Sequence, residues 1–238
     1  FRKRALVFIC CFLIAFLFSY IKASYLYDLF SEPLKQYFGI GLVAFSLTDV
    51  FLPPLQMAWY TAWFISMPVL LYQVYAFFAP ALYQSEKALL RVALVASVGL
   101  FYLGFILSLL LIPPILLHNV QGALASNVQY IPNIRLYTDF MLSMSFSFGV
   151  FFELPLLMFL MNVFGWVQLS SILALRRYFF LIAFIVGMLI TPPDVLSQCL
   201  VAIPLCAIFE CGLLTIRGYR FVQKRRASSF MLTNCSLK

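Results

Sequence analysis

Long apolar runs separated by clusters of positive charge constrain this chain more than any other feature of its sequence. Thirteen of its sixteen Lys and Arg residues fall into four clusters: Arg2-Lys3-Arg4; Lys87 with Arg91; Arg176-Arg177; and Arg217, Arg220, Lys224, Arg225, Arg226 and Lys238. Only Lys22, Lys35 and Arg135 lie in the other connections. Six apolar stretches run between the clusters, at 5–21, 50–72, 92–117, 140–164, 178–190 and 198–216. A helix needs about 20 apolar residues to cross the hydrocarbon layer of a bilayer. With 64% of residues hydrophobic and 10% charged, the chain has too little charge to cover a water-soluble domain. It reads as an all-α integral membrane protein, a single domain of six transmembrane helices over residues 1–238 with a basic tail at 217–238.

The charge pattern also sets an expected orientation. Basic clusters stand before the first span, between the second and third, between the fourth and fifth, and after the sixth, which places both termini on the cytoplasmic side. The fifth stretch, 178–190, has thirteen residues, too few to cross without help from its flanks or a locally thinned bilayer. Pro53-Pro54 opens the second span and Pro113-Pro114 closes the third, while Pro68, Pro155 and Pro204 fall inside the second, fourth and sixth. Each interior proline removes a backbone donor and favours a kink, so a cupped arrangement is expected rather than a bundle of straight rods. No internal repeat stands at matched positions, which weighs against an inverted-repeat transporter.

A net charge of +8 raises nucleic acid as a partner, but the cations sit at the ends of apolar runs and not in a stripe interleaved with exposed aromatics. Topology accounts for them, and no nucleic-acid partner is expected. The six cysteines, at 10, 11, 199, 206, 211 and 235, show no CxxC and no histidine pairing, so they read as packing residues and signal neither a metal site nor a disulfide framework. The first run begins with basic residues as a signal peptide does, yet no small-residue cleavage site follows, and it is expected to be a retained span. His118 is the single histidine. With no Gly-rich phosphate loop and no Ser/His/Asp or Cys/His set, neither an enzyme nor a cofactor is expected.

Carboxylates are the residues most apt to carry function. Glu153, Asp194 and Glu210 lie in or at the edge of apolar spans, where an acid faces other protein or water. For Glu153, fourteen residues beyond Asp139 and so about 21 Å further along a helix, two readings stand: a helix-packing hydrogen bond and a functional intramembrane acid. Asp194 in Thr191-Pro192-Pro193-Asp194 reads equally as a helix cap and as part of a docking place for a polar partner helix, together with Thr191 and Gln198. Glu86 stands alone as an acid in the inner connections and tail. It either pairs with Lys87 or Arg91 at little energetic gain or offsets the repulsion that a cationic peptide would meet on this face.

Several longer motifs occur in order along this topology. They are Arg2-Lys3-Arg4, Ser31-Glu32-Pro33-Leu34, YQVYAFFAPALY at 72–83 with Glu86-Lys87, FGVFFELP at 148–155, Arg176-Arg177-Tyr178, GMLITPPDV at 187–195 with Ser197-Gln198, Ala202-Ile203-Pro204 and Phe209-Glu210. Together they resemble the TatC family, the multi-spanning receptor component of twin-arginine protein translocases, over nearly the whole chain. The resemblance implies a cupped six-span receptor that binds twin-arginine signal peptides of folded cargo and recruits single-span TatA/TatB-type subunits, driven by the proton-motive force. It implies that Glu86 pairs with the arginines of the signal peptide, that Phe77 contacts its consensus region and that Arg2 belongs to the N-terminal tip, where the family also bears a glutamate ahead of that position. Met188, Thr191 and Gln198 would hold the partner helix, and Glu153 matches the family's intramembrane acid. Self-association within a receptor complex is expected, in a bacterial inner membrane or, alternatively, a mitochondrial inner or thylakoid membrane. Two other classes stay open: a proton-coupled small-solute permease built around Glu153, and a non-transporting subunit of a respiratory membrane complex.

Overall fold

In lipid no water can satisfy exposed N–H and C=O groups, so a chain this apolar must satisfy them internally, and helices do so within one segment. The computed structural model describes residues 2–23, 25, 26, 28, 43–81, 84–123, 133–190 and 195–235. Among the described residues the chain is helical apart from turns and one isolated backbone bridge between Val43 and Asn133. The helices are α1 (Arg2–Ile21), α2 (Thr48–Phe78), a 3-10 turn (Ala79–Ala81), α3 (Gln84–Ala123), α4 (Ile134–Phe151), α5 (Leu154–Val163), α6 (Leu169–Ile190) and α7 (Val195–Cys235). Six segments are long and apolar enough to cross a membrane: Arg2–Ile21, Thr48–Phe78, Lys87–Pro114, Ile134–Val163, Leu169–Leu189 and Val201–Phe221.

The helices run past the apolar stretches, and in the fifth span this corrects an expectation. The fifth span is a helix of 22 residues, so shortness belongs to its charge-free stretch and not to the helix. Arg176 and Arg177 lie inside α6, held there by partners described below. The third span reaches Pro114, while its helix continues through Pro113-Pro114 to Ala123; the fixed φ of proline suits a helix. Residues 217–235 of the tail continue α7 as helix to Cys235. Of the interior prolines, Pro68 and Pro204 sit within unbroken helices. Pro155 alone coincides with a break, at Phe152 and Glu153, between α4 and α5.

The chain divides into two compact units, Phe1–Val150 and Phe151–Lys238. In the first, Phe8, Phe12 and Phe16 recur every four residues and so line one face of α1. They meet Trp59 and Trp63 of α2: Phe12 lies edge-on to both, with ring centroids 5.1 and 5.3 Å apart, Phe8 lies 5.8 Å from Trp63 and Phe16 lies 6.4 Å from Trp59. Rising numbers on α1 meet falling numbers on α2, so the two helices are antiparallel. The next face of α2 carries Phe64, whose ring lies 4.1 Å from Phe105 and 5.9 Å from Phe101 of α3. Tyr60 bonds Ser143 of α4 through its hydroxyl at 3.0 Å.

Two features of this unit follow from single residues. Pro68 has no N–H to offer the carbonyl of Phe64 four residues earlier, and the Tyr102 hydroxyl of α3 donates to that same carbonyl at 2.9 Å. Phe101 is fully buried only because residue 149 on α4 is glycine, since a Cβ there would stand 2.7 Å from Phe101 Cε2. A buried hydroxyl pair, Ser108 to Ser145 at 3.4 Å, also joins α3 to α4, with Ser145 donating to the Met141 carbonyl at 2.8 Å.

The second unit is built on a core of Met158, Ile172, Phe209, Leu213 and Ile216, with Phe179 packed against it. Phe179 of α6 stacks on Phe209 of α7 with centroids 4.2 Å apart. Glycine again sets the closest approach: a Cβ at Gly212 of α7 would lie 3.0 Å from the Pro155 Cα of α5. The chain reverses between α5 and α6 at Gly165, whose φ of +74° lies in the left-handed region that favours glycine. Asn162 holds this reversal by donating from Nδ2 to the Val167 carbonyl at 2.9 Å.

Tyr102→Phe is expected to lower stability in detergent by roughly 1 kcal/mol, the scale of one interhelical hydrogen bond in a membrane protein. Tyr102→Phe combined with Pro68→Ala is expected to recover most of that loss, because alanine at this position restores the internal donor. Gly149→Ala overpacks Phe101 and is expected to cost about 1–3 kcal/mol. Thermal unfolding of the purified variants measures each of these effects.

Candidate functional site

The first group of sequence-derived site residues, Arg2, Phe77 and Glu86, belongs to one end of the first unit. α2 and α3 reverse through the Ala79–Ala81 turn. Counting from the Phe64 contacts with Phe101 and Phe105, both Phe77 and the backbone of Glu86, in the first turn of α3, arrive at this end. Phe77 is 54% exposed and lies edge-on to Phe78 at 5.3 Å. Arg2, Lys3 and Arg4 are exposed at the start of α1. From the contact of Phe8 with Trp63, six residues separate Phe8 from Arg2 and fourteen separate Trp63 from Phe77, so Arg2 stops roughly 12 Å short of Phe77 along α2. The three positions form a step and not a ring. The side chain of Glu86 lies outside the described residues.

The second group lies on α6 and α7. Gly187 lets α7 come close, since a Cβ there would meet the Gln198 carbonyl oxygen at 3.1 Å. Gln198 Nε2 donates to the Phe184 carbonyl at 2.9 Å, so its amide braces α7 against α6. Met188 is 62% exposed beside this brace. Thr191 and Asp194 lie outside the described residues.

The intramembrane acids divide by environment. Glu210 Oε1 of α7 stands 2.5 Å from Arg176 Nε of α6, with the side chains 33% and 49% exposed. The contact is an ion pair by distance, but the N–H does not point along a hydrogen-bonding direction to Oε1. The Arg176 guanidinium also lies 5.5 Å from the Phe180 ring centroid, and Arg177 lies 4.8 Å from that of Tyr178 while donating to its hydroxyl at 3.0 Å. These contacts explain how an arginine pair can sit inside α6. Glu153 is half-buried at the break ahead of Pro155, and its carbonyl accepts from Leu157 N at 2.9 Å.

Sequence reasoning missed a polar staple in the first unit. Asp49, 5% exposed, accepts at Oδ2 from Phe45 N at 3.1 Å, Ser46 N at 3.2 Å and Asn133 Nδ2 at 2.9 Å. Ser46 Oγ accepts in return from Asp49 N at 3.3 Å, which completes a reciprocal capping box at the start of α2. Asn133 caps α4 by accepting from the backbone N–H of Arg135 and Leu136. One bond between two caps thus ties the starts of α2 and α4 together, and Gln56 donating to Asp139 at 3.2 Å repeats the tie farther along. The signal was present in Ser46-Leu47-Thr48-Asp49 ahead of an apolar run. The second unit has a counterpart in Arg220 Nε, which donates to Asn162 Oδ1 at 3.1 Å.

Among the described residues no group of His, Cys, Asp and Glu is arranged to hold a metal ion. Comparison with known proteins places the whole arrangement. The TatC of Haemophilus influenzae is 35% identical over 221 residues, which cover 92% of this chain and 86% of that protein. The Escherichia coli K12 protein is 36% identical over 220 residues, 92% of this chain and 85% of its own length. That of Halothiobacillus neapolitanus is 34% identical across 95% of this chain, which spans 63% of its length. A crystal structure of the twin arginine translocase receptor TatC superposes with a TM-score of 0.83 at 28% identity, covering 91% of this chain and 96% of that one. Since the family described as Sec-independent protein translocase protein (TatC) also matches residues 1–204, this chain, an integral multi-pass membrane protein, belongs to the TatC family.

Proposed function

We propose that this chain is the receptor subunit of a twin-arginine protein translocase, and that it acts by binding and not by catalysis. The observation that carries the reading is the likeness to a solved twin arginine translocase receptor over 91% of the chain. The relatives compared above favour neither a permease nor a respiratory subunit. Twin-arginine signal peptides dock at the stepped end of the first unit, where Glu86 supplies the carboxylate for an arginine pair, Phe77 an aromatic contact, and the Arg2 cluster a cationic boundary. A guanidinium pairs with a carboxylate through two parallel hydrogen bonds, so one acid among cations selects arginine by geometry more than by net attraction.

Single-span TatA/TatB-type helices dock along α6 and α7 beside Met188, Thr191 and Gln198. The charge-free stretch of α6, 178–190, spans about 20 Å, shorter than the hydrocarbon layer, which suits a partner helix of similar length. Glu153 couples the recruited helix to the proton-motive force. Both termini face the cytoplasm of a bacterial cell, by the positive-inside distribution of cations, and copies of the chain associate within the receptor complex.

Membranes carrying the Glu86→Gln, Phe77→Ala double variant should crosslink a twin-arginine signal peptide at least about tenfold less than the parent, a loss of ~1.4 kcal/mol. Undiminished capture would reject the assigned site. A photocrosslinker at Met188 should capture a single-span protein that one at Leu6 on α1 does not, and equal capture at both would remove the partner from α6.

A further inference from the structure

One face of α3 in the first unit has a composition that neither the peptide site nor the partner site uses. Ala88, Arg91, Val92, Val95 and Ala96 line an open groove with almost entirely apolar walls. Their spacing, with successive steps of three, one, three and one residues, places all five on one side of the helix over its first turns within the membrane. Val92 and Val95 are 68% and 73% exposed, and one turn further Gly99 faces open space. The stripe continues apolar through Leu103, Ile106 and Leu110, each more than half exposed. At the N-terminal end of the stripe the exposed Arg91 and the half-buried Lys87 form the basic cluster that bounds this span.

We propose that this groove binds an anionic phospholipid, with the phosphate on Arg91 and Lys87 and one acyl chain along Val92, Val95, Ala96 and Gly99. The occupant follows from charge complementarity. Two cations adjoin one end of a groove that is otherwise uncharged, so a ligand must bring its anion to that end and be apolar over the rest. A phospholipid has that division, and basic residues at the membrane surface attract anionic lipid in particular. The absence of a side chain at 99 and the small ones at 88 and 96 leave room for a chain to lie against the backbone between the two valines. A transmembrane partner helix would need an acid placed level with Arg91, whereas any anionic lipid presents its phosphate there.

The test uses the full chain purified in detergent and exposed to equimolar dioleoyl-phosphatidylglycerol and dioleoyl-phosphatidylcholine, with bound lipid counted by native mass spectrometry. Phosphatidylglycerol should be retained in preference, and Arg91→Gln should lower its retention about fivefold. Arg135→Gln, at an exposed cation outside both proposed sites, should leave it unchanged. Ala96→Phe fills the groove without altering charge and should lower retention of the same lipid, while thermal unfolding of each variant confirms that it is folded. Equal retention of the two lipids, or retention indifferent to both Arg91→Gln and Ala96→Phe, would overturn the proposal. Competition by millimolar inorganic phosphate would reduce the site to a simple anion contact and overturn the acyl-chain half. Loss of a co-purifying single-span protein on Ala96→Phe, with lipid retention intact, would assign the face to a helix instead. None of these outcomes depends on signal-peptide capture, so failure here leaves the receptor reading untouched.

Discussion

The structure depends first on a rule of lipid: a backbone carbonyl that loses its helical partner must find another within the protein. Pro68 is the sharpest instance. It withdraws the donor from the Phe64 carbonyl, and Tyr102 of the neighbouring helix replaces it, so the proline that would weaken an isolated helix becomes the reason α2 and α3 share a fixed register. Pro155 answers the same rule by a different route. The helix gives up its ladder at Phe152 and Glu153, where an acidic residue is half-buried, and resumes as α5 with proline in its first turn, the position that tolerates it. Pro68 and Pro155 thus meet the same rule by different means, the first with a neighbour's hydroxyl on the orphaned carbonyl and the second with a break in the helix.

Satisfying the backbone does not by itself hold helices together, because lipid tails are as apolar as leucine and offer little hydrophobic gain on association. Close fit supplies the attraction. The Phe8, Phe12 and Phe16 face of α1 meshes with Trp59 and Trp63, and aromatic pairs add attraction beyond the area they bury. Glycine sets the depth of that fit in both units: Gly149 admits the Phe101 ring, and Gly212 admits the Pro155 backbone. The high phenylalanine content thus has a structural use in this chain wherever a ring lies opposite a glycine or a tryptophan.

How much of this is legible in the sequence depends on the range of the interaction. The six spans follow from local hydropathy and charge, and the family motifs lie in contiguous strings. Helix extent is misjudged where a charge reads as a stop, as at Arg176-Arg177, because its compensation is distant: Glu210 stands thirty-four positions further along the chain than Arg176. The Tyr102 bond to a carbonyl thirty-eight positions away has no sequence signature at all, since only the fold brings that hydroxyl opposite the proline's orphan. Asp49 is a different kind of miss. Its capping box with Ser46 is local and readable, and only its second role, accepting from Asn133, requires the structure. Gln198 reads in the sequence as a group available to a partner, whereas its amide already braces α6.

That last point bears on how the two proposed sites can be tuned. Three arginines of the second unit are engaged within it, Arg176 by Glu210, Arg177 by Tyr178 and Arg220 by Asn162, and the contacts of Arg176 and Arg220 join one helix to another. Those at the start of α1 are exposed and, together with Lys87 and Arg91 of α3, set the field around the proposed peptide-binding step. A cationic peptide approaching such a field is repelled until it lies within reach of Glu86, and the Debye length at physiological salt, about 8 Å, is shorter than the roughly 12 Å between the levels of Arg2 and Phe77. The step between α1 and the α2–α3 turn therefore acts electrostatically as well as sterically. It keeps the Arg2 cluster far enough away for salt to screen it, which leaves Lys87 and Arg91, one and five positions along α3 from Glu86, as the cations closest along the chain to the proposed carboxylate.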